Sequence, residues 1–213
     1  MKVSEIFYSI QGEGIQIGQP TVFLRLFACD LRCSWCDTMY AVEGSDFREV
    51  SNEEILSEIG KYNSKHVCIT GGEPLIQKKE LVPLAEELIQ NGYFIVLETS
   101  GHKEPPEIFE SSSCLISMDC KCPSSGMENR MHFNLFEKLG HKDQLKFVIE
   151  DEQDYKYAKS ILNRYKLKAS IIFQPVHGKN LSWLTESVLK DRLYSVRVLP
   201  QLHKLVWDDK RGV

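Results

Sequence analysis

Apolar and polar positions alternate in blocks along this chain, and the blocks predict strands and helices in turn. VFLRLFA (22–28) is an apolar run of strand length. Ser51-Asn52-Glu53-Glu54 has the form of a capping box, a hydroxyl residue three positions before a Glu, and opens a helix predicted to end near Tyr62. HVCIT (66–70) predicts the next strand. Over 77–91, Leu81, Leu84, Ala85 and Leu88 fall on one stripe at helical spacing, and Gly92 follows as a stop signal. FIVLET (94–99) reads as a strand, the turn at Pro105-Pro106 leads into a short helix, and CLISM (114–118) reads as a strand. A helix over 132–139 precedes the strand QLKFVIE (144–150). The acidic EDEQDY segment starts a helix ending near Tyr165, because carboxylates in a first turn suit the helix dipole. SIIFQP (170–175) and SVRVLP (195–200) are the last predicted strands, with a helix at 181–191 between them.

Repeated β-α units predict an α/β fold with right-handed crossovers and a parallel sheet. No composition break or linker divides the chain, so one domain over 1–213 is expected. Periodicity leaves open whether the sheet stays flat and open or curves into a partial or full barrel. In any of these forms, ligands sit beyond the carboxyl ends of the strands. The loop after residue 28, Thr70-Gly71-Gly72-Glu73, Glu98-Thr99-Ser100-Gly101, Asp119-Cys120-Lys121 and Gln174-Pro175-Val176-His177 each follow a predicted strand. They are therefore expected on one rim, around one pocket.

A net charge of −4 argues against a broad nucleic-acid surface, without excluding a local basic patch. No apolar run approaches membrane-spanning length, and MKVSEIFYSIQGEG lacks the apolar centre of a secretion signal. A cytoplasmic protein without membrane or nucleic-acid partners is expected. Seven cysteines in such a protein point to metal or redox chemistry, not to a disulfide framework.

Three of those cysteines, Cys29, Cys33 and Cys36, stand in FACDLRCSWCD with the spacing C-x3-C-x2-C. Four thiolates close a [4Fe–4S] cluster, whereas three leave one iron open to a small molecule. A zinc site would want a fourth Cys or His, and His66 is far off in sequence. A disulfide would leave one thiol over and needs an oxidising compartment. A second segment, HVCITGGEP (66–74), runs an apolar strand into Gly-Gly-Glu-Pro, where the glycines allow close backbone approach to a ligand. Cys68 and Cys114 lie in strand-like runs and are expected in the core. Cys120 and Cys122 are alternate residues that can share a face; core packing and a second metal site both remain open for them.

The cysteine spacing and the GGEP segment resemble the signature of the radical S-adenosylmethionine (SAM) enzymes. Ile10-Gln11-Gly12-Glu13-Gly14, CSWCDT at the cysteines and RVLPQLHK (197–204) further resemble the 7-carboxy-7-deazaguanine synthase family, across essentially the whole chain. The resemblance implies a curved parallel β/α sheet, a partial TIM-like barrel. It implies a lyase that converts 6-carboxy-5,6,7,8-tetrahydropterin to 7-carboxy-7-deazaguanine with loss of ammonia, by radical ring contraction. It also implies a [4Fe–4S] cluster, SAM, Mg2+, a homodimer and an electron donor such as a flavodoxin or ferredoxin. The product feeds queuosine, archaeosine and related bases.

Residue roles follow from the same resemblance. Cys29, Cys33 and Cys36 would hold the cluster. Trp35, Cys36, Asp37, Gly72, Glu73, Asp119, Cys120, Lys121, Gln174, Pro175, Val176 and His177 would line the SAM site, with Glu73 helping to hold the methionine ammonium. Thr38 would ligate Mg2+ through its hydroxyl, consistent with the preference of Mg2+ for oxygen; the other reading of Thr38 is a helix cap. Ile10, Gln11, Gly12, Glu13, Arg25, Thr70, Glu98 and His203 would surround the pterin. Arg25 would meet the substrate carboxylate with its planar fork, or else snorkel to solvent from a barrel end. Glu98 would bind the guanidine-like edge of the pterin. No further catalytic side chain is expected beyond cluster and SAM.

Some members of the family carry a long insertion between the first two cysteines, which this chain lacks. Two other functions fit fewer segments. A glycyl-radical-activating enzyme acting on a partner protein leaves IQGEG and RVLPQLHK unexplained. A non-catalytic iron–sulfur electron carrier leaves GGEP without a use.

Overall fold

In the computed structural model, which describes residues 1–213, a nine-stranded sheet carries helices on one face. The strands are β1 (Lys2–Ile10), β2 (Pro20–Leu26), β3 (Arg48–Glu49), β4 (His66–Gly71), β5 (Phe94–Thr99), β6 (Cys114–Cys120), β7 (Gln144–Ile149), β8 (Ser170–Pro175) and β9 (Val196–Val198). Their spatial order is β3-β1-β2-β4-β5-β6-β7-β8-β9. Pairing is parallel from β2 through β9. β1 joins β2 and β3 antiparallel. The edges β3 and β9 do not pair, so the α/β sheet is open, a partial barrel.

The helices are α1 (Asn52–Ile59), α2 (Lys78–Gln90), α3 (Phe133–Phe136), α4 (Glu152–Arg164), α5 (Leu181–Lys190) and α6 (Leu202–Trp207). The capping box forms as its sequence predicts, with Ser51 Oγ accepting from Glu54 N and Glu54 accepting from Ser51 N. Asp151 caps α4 through Asp154 N. None of these helices is long and apolar enough to cross a membrane.

Three elements escape the hydrophobic pattern. β1 lies in an antiparallel hairpin and shows only partial burial along most of its length, so it lacks clean alternation. β3 is two exposed residues, and α6 has no buried residue. Two others are shorter than expected. The helix predicted at 132–139 shrinks to α3, because Leu135 and Phe136 turn into the core and Lys138 N bonds Leu135 O in a tighter turn. The strand predicted at 195–200 ends at Val198, shortly before Pro200, which has no N–H to offer a ladder.

The two faces of the sheet differ in chemistry. Leu24, Leu26, Ile69, Leu97, Met118 and Phe147 belong to one cluster of 38 buried residues that includes the helix stripe Leu81, Leu84, Ala85 and Leu88. The alternate residues point the other way. Low on that face, Cys68, Val96 and Leu115 form a small apolar floor. Above it, towards the carboxyl ends of the strands, Arg25, Thr70, Glu98, Asp119 and Lys146 line a cavity.

Candidate active site

The cavity begins where β2 hands over to the cysteine loop. Ala28 is held at φ 84, its N–H bonded to Ala41 O at 2.8 Å and its carbonyl accepting from Glu73 N at 2.9 Å. Gly72 packs against that carbonyl so closely that a Cβ would collide with it. Gly71, at φ 146, lies against the Leu26 backbone in the same way. The two glycines are therefore required for the cysteine loop and the GGEP loop to touch.

Cys29, Cys33 and Cys36 are free, half-buried and on the wall of this one cavity. Cys36 N bonds Cys33 O at 3.2 Å, and Leu31 N donates to Cys29 Sγ at 3.4 Å. Three thiols on the wall of one cavity are the ligand set that a cluster with one open iron requires. Burial pushes the Cys29 thiol up to about 11, with the nearby carboxylates of Glu73 and Asp30 adding to the effect, so iron binding must displace a firmly held proton. Burial likewise raises the Cys33 thiol.

Glu73 departs from the role expected of it. Its side chain is fully buried and absent from the cavity wall. Oε1 accepts from Thr99 Oγ1 at 2.8 Å and Leu75 N at 3.0 Å; Oε2 accepts from Ser100 N at 2.8 Å and Ser100 Oγ at 2.5 Å. Every lone pair of the carboxylate is committed within the protein, so none is left for a ligand ammonium. Its work is to tie the GGEP loop to the end of β5. A chain of contacts continues to the cysteine loop, with Ser100 Oγ 3.1 Å from His102 Nδ1 and His102 Nε2 2.7 Å from Asp30 Oδ1. Lys103, 2.9 Å from Asp30, contributes with His102 to holding the Asp30 carboxyl down to about 2 against the upward push of burial.

Cys120, Gln174 and Pro175 also lie off the cavity. Cys120 falls on the apolar face of β6 and joins the main core with Cys122, which leaves the pair to packing. Gln174 is fully buried and donates to Pro200 O at 3.4 Å. The remaining residues expected around SAM and substrate do line the cavity: Trp35, Asp37, Gly72, Asp119, Lys121, Val176 and His177, and with them Ile10, Gln11, Gly12, Glu13, Arg25, Thr70, Glu98 and His203. Thr38 joins them. It precedes a 3-10 turn (Met39–Ala41) but makes no side-chain cap, and its Oγ1 lies 3.8 Å from Cys36 Sγ. The cap reading therefore fails for Thr38.

Trp35 is anchored from behind, its Nε1 donating to Ser124 Oγ at 3.1 Å, while the Lys121 ammonium sits 5.2 Å from the ring centroid. Lys121 pairs with Asp119 at 2.6 Å. On the far side Arg25 Nε lies 2.7 Å from Glu5 Oε1, and no hydrogen bond engages the two terminal nitrogens of its guanidinium. Arg25 is therefore neither free nor solvent-seeking.

The central cation of the cavity was not legible as such. Lys146 on β7 is buried and contacts Glu13, Glu98 at 3.2 Å and Asp119 at 3.3 Å. Gln201 Nε2 donates to the other oxygen of Glu13 at 2.8 Å. Burial pushes the Glu13 carboxyl up, but Lys146 and His203 overcome this and hold it at about 2. Glu98 goes the other way: burial raises it, Lys146 lowers it, and Glu13 and Asp119 raise it further. Burial lowers His203, against the pull of Glu13. The His203 ring packs on Gly12, where any Cβ would strike it, and Leu202 N bonds Gly12 O at 2.9 Å. The loop after β1 and the start of α6 thus meet across the gap of the open sheet.

Comparison with known proteins agrees with this geometry. Residues 25–111 match the Radical SAM superfamily. The chain is 36% identical to the 7-carboxy-7-deazaguanine synthase of Koribacter versatilis, with 100% of both chains covered. It is 35% identical to that of Thermoplasma acidophilum, again over 100% of both. The crystal structure of QueE from Escherichia coli has a TM-score of 0.78 at 26% identity, covering 95% of this chain and 94% of that one.

Proposed function

The chain belongs to the 7-carboxy-7-deazaguanine synthase family of radical SAM enzymes, and we propose that it converts 6-carboxy-5,6,7,8-tetrahydropterin to 7-carboxy-7-deazaguanine with loss of ammonia, in the biosynthesis of 7-deazapurines. The observation that carries this reading is convergence: three cysteines, the Gly71-Gly72 turn, an arginine with two uncommitted nitrogens and the half-buried Glu98 share one cavity. One radical SAM domain over 1–213 performs the reaction.

Cys29, Cys33 and Cys36, on one cavity wall, would hold a [4Fe–4S] cluster with one iron left without a protein ligand. When bound, cluster and SAM supply one-electron cleavage of SAM and the hydrogen abstraction that starts the ring contraction. The chain's own residues bind and orient. Gly72 holds the GGEP loop against the cysteine loop at the edge of the SAM site, and Trp35, Asp37, Asp119, Lys121, Val176 and His177 enclose SAM. Thr38 offers its uncapped hydroxyl to Mg2+, which prefers oxygen ligands and retains waters.

Arg25 receives the substrate carboxylate on its terminal nitrogens while Glu5 holds Nε, so the fork is fixed before the ligand arrives. Glu98 takes the amino-pyrimidine edge of the pterin. Ile10, Gln11, Gly12, Glu13, Thr70 and His203 close around the ring, excluding water and competing C–H donors from the reacting carbon. The enzyme acts as a homodimer in the cytoplasm and draws electrons from a flavodoxin or ferredoxin.

Anaerobic reconstitution with iron and sulfide, followed by SAM, a reductant and 6-carboxytetrahydropterin, tests the reading. The expected product is identified by mass and ultraviolet spectrum as 7-carboxy-7-deazaguanine. SAM cleavage without that product would defeat the substrate assignment.

A further inference from the structure

Lys146 is the one cation that reaches three of the cavity's carboxylates, and it does so from inside the sheet. Its side chain is 6% exposed. An ammonium has three donors, and here three carboxylates surround it: Glu13 from the loop after β1, Glu98 from the end of β5 and Asp119 from the end of β6. Asp119 is its direct partner across the β6–β7 ladder, whereas Glu13 and Glu98 are brought to it by the curl of the sheet.

The bonds to Glu98 are unequal. Oε2 accepts from Ser117 Oγ at 2.8 Å and from Lys146 Nζ at 3.2 Å, which fills both of its lone pairs. Oε1 is shielded from water and has no partner, although Glu98 lines the cavity. A shielded carboxylate oxygen without a donor is destabilising unless a ligand supplies one. Glu13 has no such vacancy, since Lys146 holds one oxygen and Gln201 the other. Two other oxygens on this wall lack a hydrogen bond, but Asp119 Oδ1 already lies 3.3 Å from Lys146 and Gln201 Oε1 is a neutral amide oxygen. Glu98 Oε1 is the one shielded carboxylate oxygen here with neither a hydrogen bond nor an ion-pair partner, and Lys146 is what turns it there.

We propose that Lys146 is a positioning residue for the substrate: by engaging Oε2 of Glu98 together with Ser117, it presents Oε1 to the amino-pyrimidine edge of the pterin. The proposal rests on the reaction assigned above. It differs from a purely structural role, in which Lys146 only neutralises buried carboxylates. That role predicts lost stability with unchanged ligand preference.

The test is ligand selectivity in the reconstituted holoenzyme with SAM, measured by anaerobic equilibrium dialysis. The probes are 6-carboxypterin and 6-carboxylumazine, which differ in replacing the 2-amino group by an oxo group. The wild-type protein is expected to prefer the pterin by about tenfold or more, as a site built around a substrate N–H rejects the analogue lacking it. In Lys146→Met the preference is expected to fall at least about fivefold, with lumazine affinity within about threefold of wild type. Ser117→Ala keeps the charge balance and removes the other bond to Oε2; there the preference is expected to fall about twofold. A folded, iron-loaded Lys146→Met with wild-type preference overturns the proposal. If that variant does not fold, unchanged preference in Ser117→Ala overturns it. Failure of the wild-type enzyme to make the deazaguanine instead refutes the reaction assignment, and this proposal falls with it.

Discussion

Arg25 and Glu5 face each other across the β1–β2 ladder, with Arg25 Nε 2.7 Å from Glu5 Oε1. Tyr40 Oη donates to the same carboxylate oxygen at 2.8 Å, and the Arg25 guanidinium lies 5.8 Å from the Phe7 ring centroid. The guanidinium is held on one edge and open on the other. Arg25→Ala is expected to raise KM for the pterin strongly, since losing one partner of a desolvated charge pair costs about 2–5 kcal/mol. Slow SAM cleavage uncoupled from product should persist, because the cysteine and GGEP loops are untouched. Arg25→Lys should recover only part, as an ammonium lacks the fork. Glu5→Gln should loosen the fork and raise KM less. Pterin turnover and 5′-deoxyadenosine, measured separately, distinguish these outcomes.

Cys29→Ala, Cys33→Ala and Cys36→Ala should each abolish SAM cleavage and lower the iron content from about four per chain, as expected for a three-cysteine cluster. Cys114→Ala should leave most activity, because its thiol is buried in the main core. Cys68→Ala should leave most SAM cleavage too, because its thiol lies on the cavity floor, accepting from Gln11 Nε2 at 3.5 Å, and is not part of the cysteine loop. Cys120→Ala and Cys122→Ala should behave likewise. Iron analysis and SAM cleavage on each purified variant decide the matter; full activity in any of the first three would sink the cluster assignment.

Glu73→Ala should act on folding before it acts on chemistry. It removes four accepted hydrogen bonds and leaves the Thr99 hydroxyl and the Ser100 and Leu75 N–H groups buried without partners. Bonds to a charged group contribute about 1.5–3 kcal/mol each, so a loss of roughly 3 kcal/mol or more is expected. Urea unfolding measures it. Wild-type stability with a selective loss of SAM affinity would return Glu73 to the ligand.

Glu13 gives the acid limb of the stability curve a defined contributor. Its folded-state value of about 2 lies below the ordinary 4.5, so the unfolded chain takes the proton first. The stabilisation is therefore complete above about pH 4.5 and is lost as pH falls towards 2, on the order of 3 kcal/mol in all. Glu13→Gln should be less stable at neutral pH and show a shallower decline across that window. Urea midpoints of the metal-free chain at a series of pH values test this, and parallel curves for the two proteins would count against it.

Much of the molecule is legible in the residues. The helix stripe of α2, the capping box of α1 and the parallel strands β4 to β8 follow from local periodicity. The shared rim follows from the rule that loops after parallel strands collect on one side. The spacing of Cys29, Cys33 and Cys36 states its own chemistry. Lys146 does not. A lone lysine in QLKFVIE reads as a solvent-facing interruption, and its carboxylates lie 133, 48 and 27 residues away. Glu73 was visible as part of a motif, but its bonding was not, since its partners Thr99 and Ser100 lie at and just beyond the end of another strand. Side-chain direction depends on register and curvature, which no window of sequence contains.

The gap between β9 and the β1 side of the sheet is closed without a strand ladder: Leu202 N bonds Gly12 O, Gln201 bonds Glu13, the His203 ring rests on Gly12, and Arg211, beyond α6, pairs with Glu5 on β1 at 3.1 Å. A barrel sealed by strand ladders would have to tear main-chain pairs to widen. Here widening breaks a few contacts worth about 1 kcal/mol each, while every ladder stays intact. The seam is therefore the part of the wall that can yield without tearing the sheet, and slower amide exchange at Leu202 on ligand binding is the expected record of its tightening. Glu13 belongs both to this seam and to the stability of the fold, so a ligand that tightens the seam is expected to steady the whole wall.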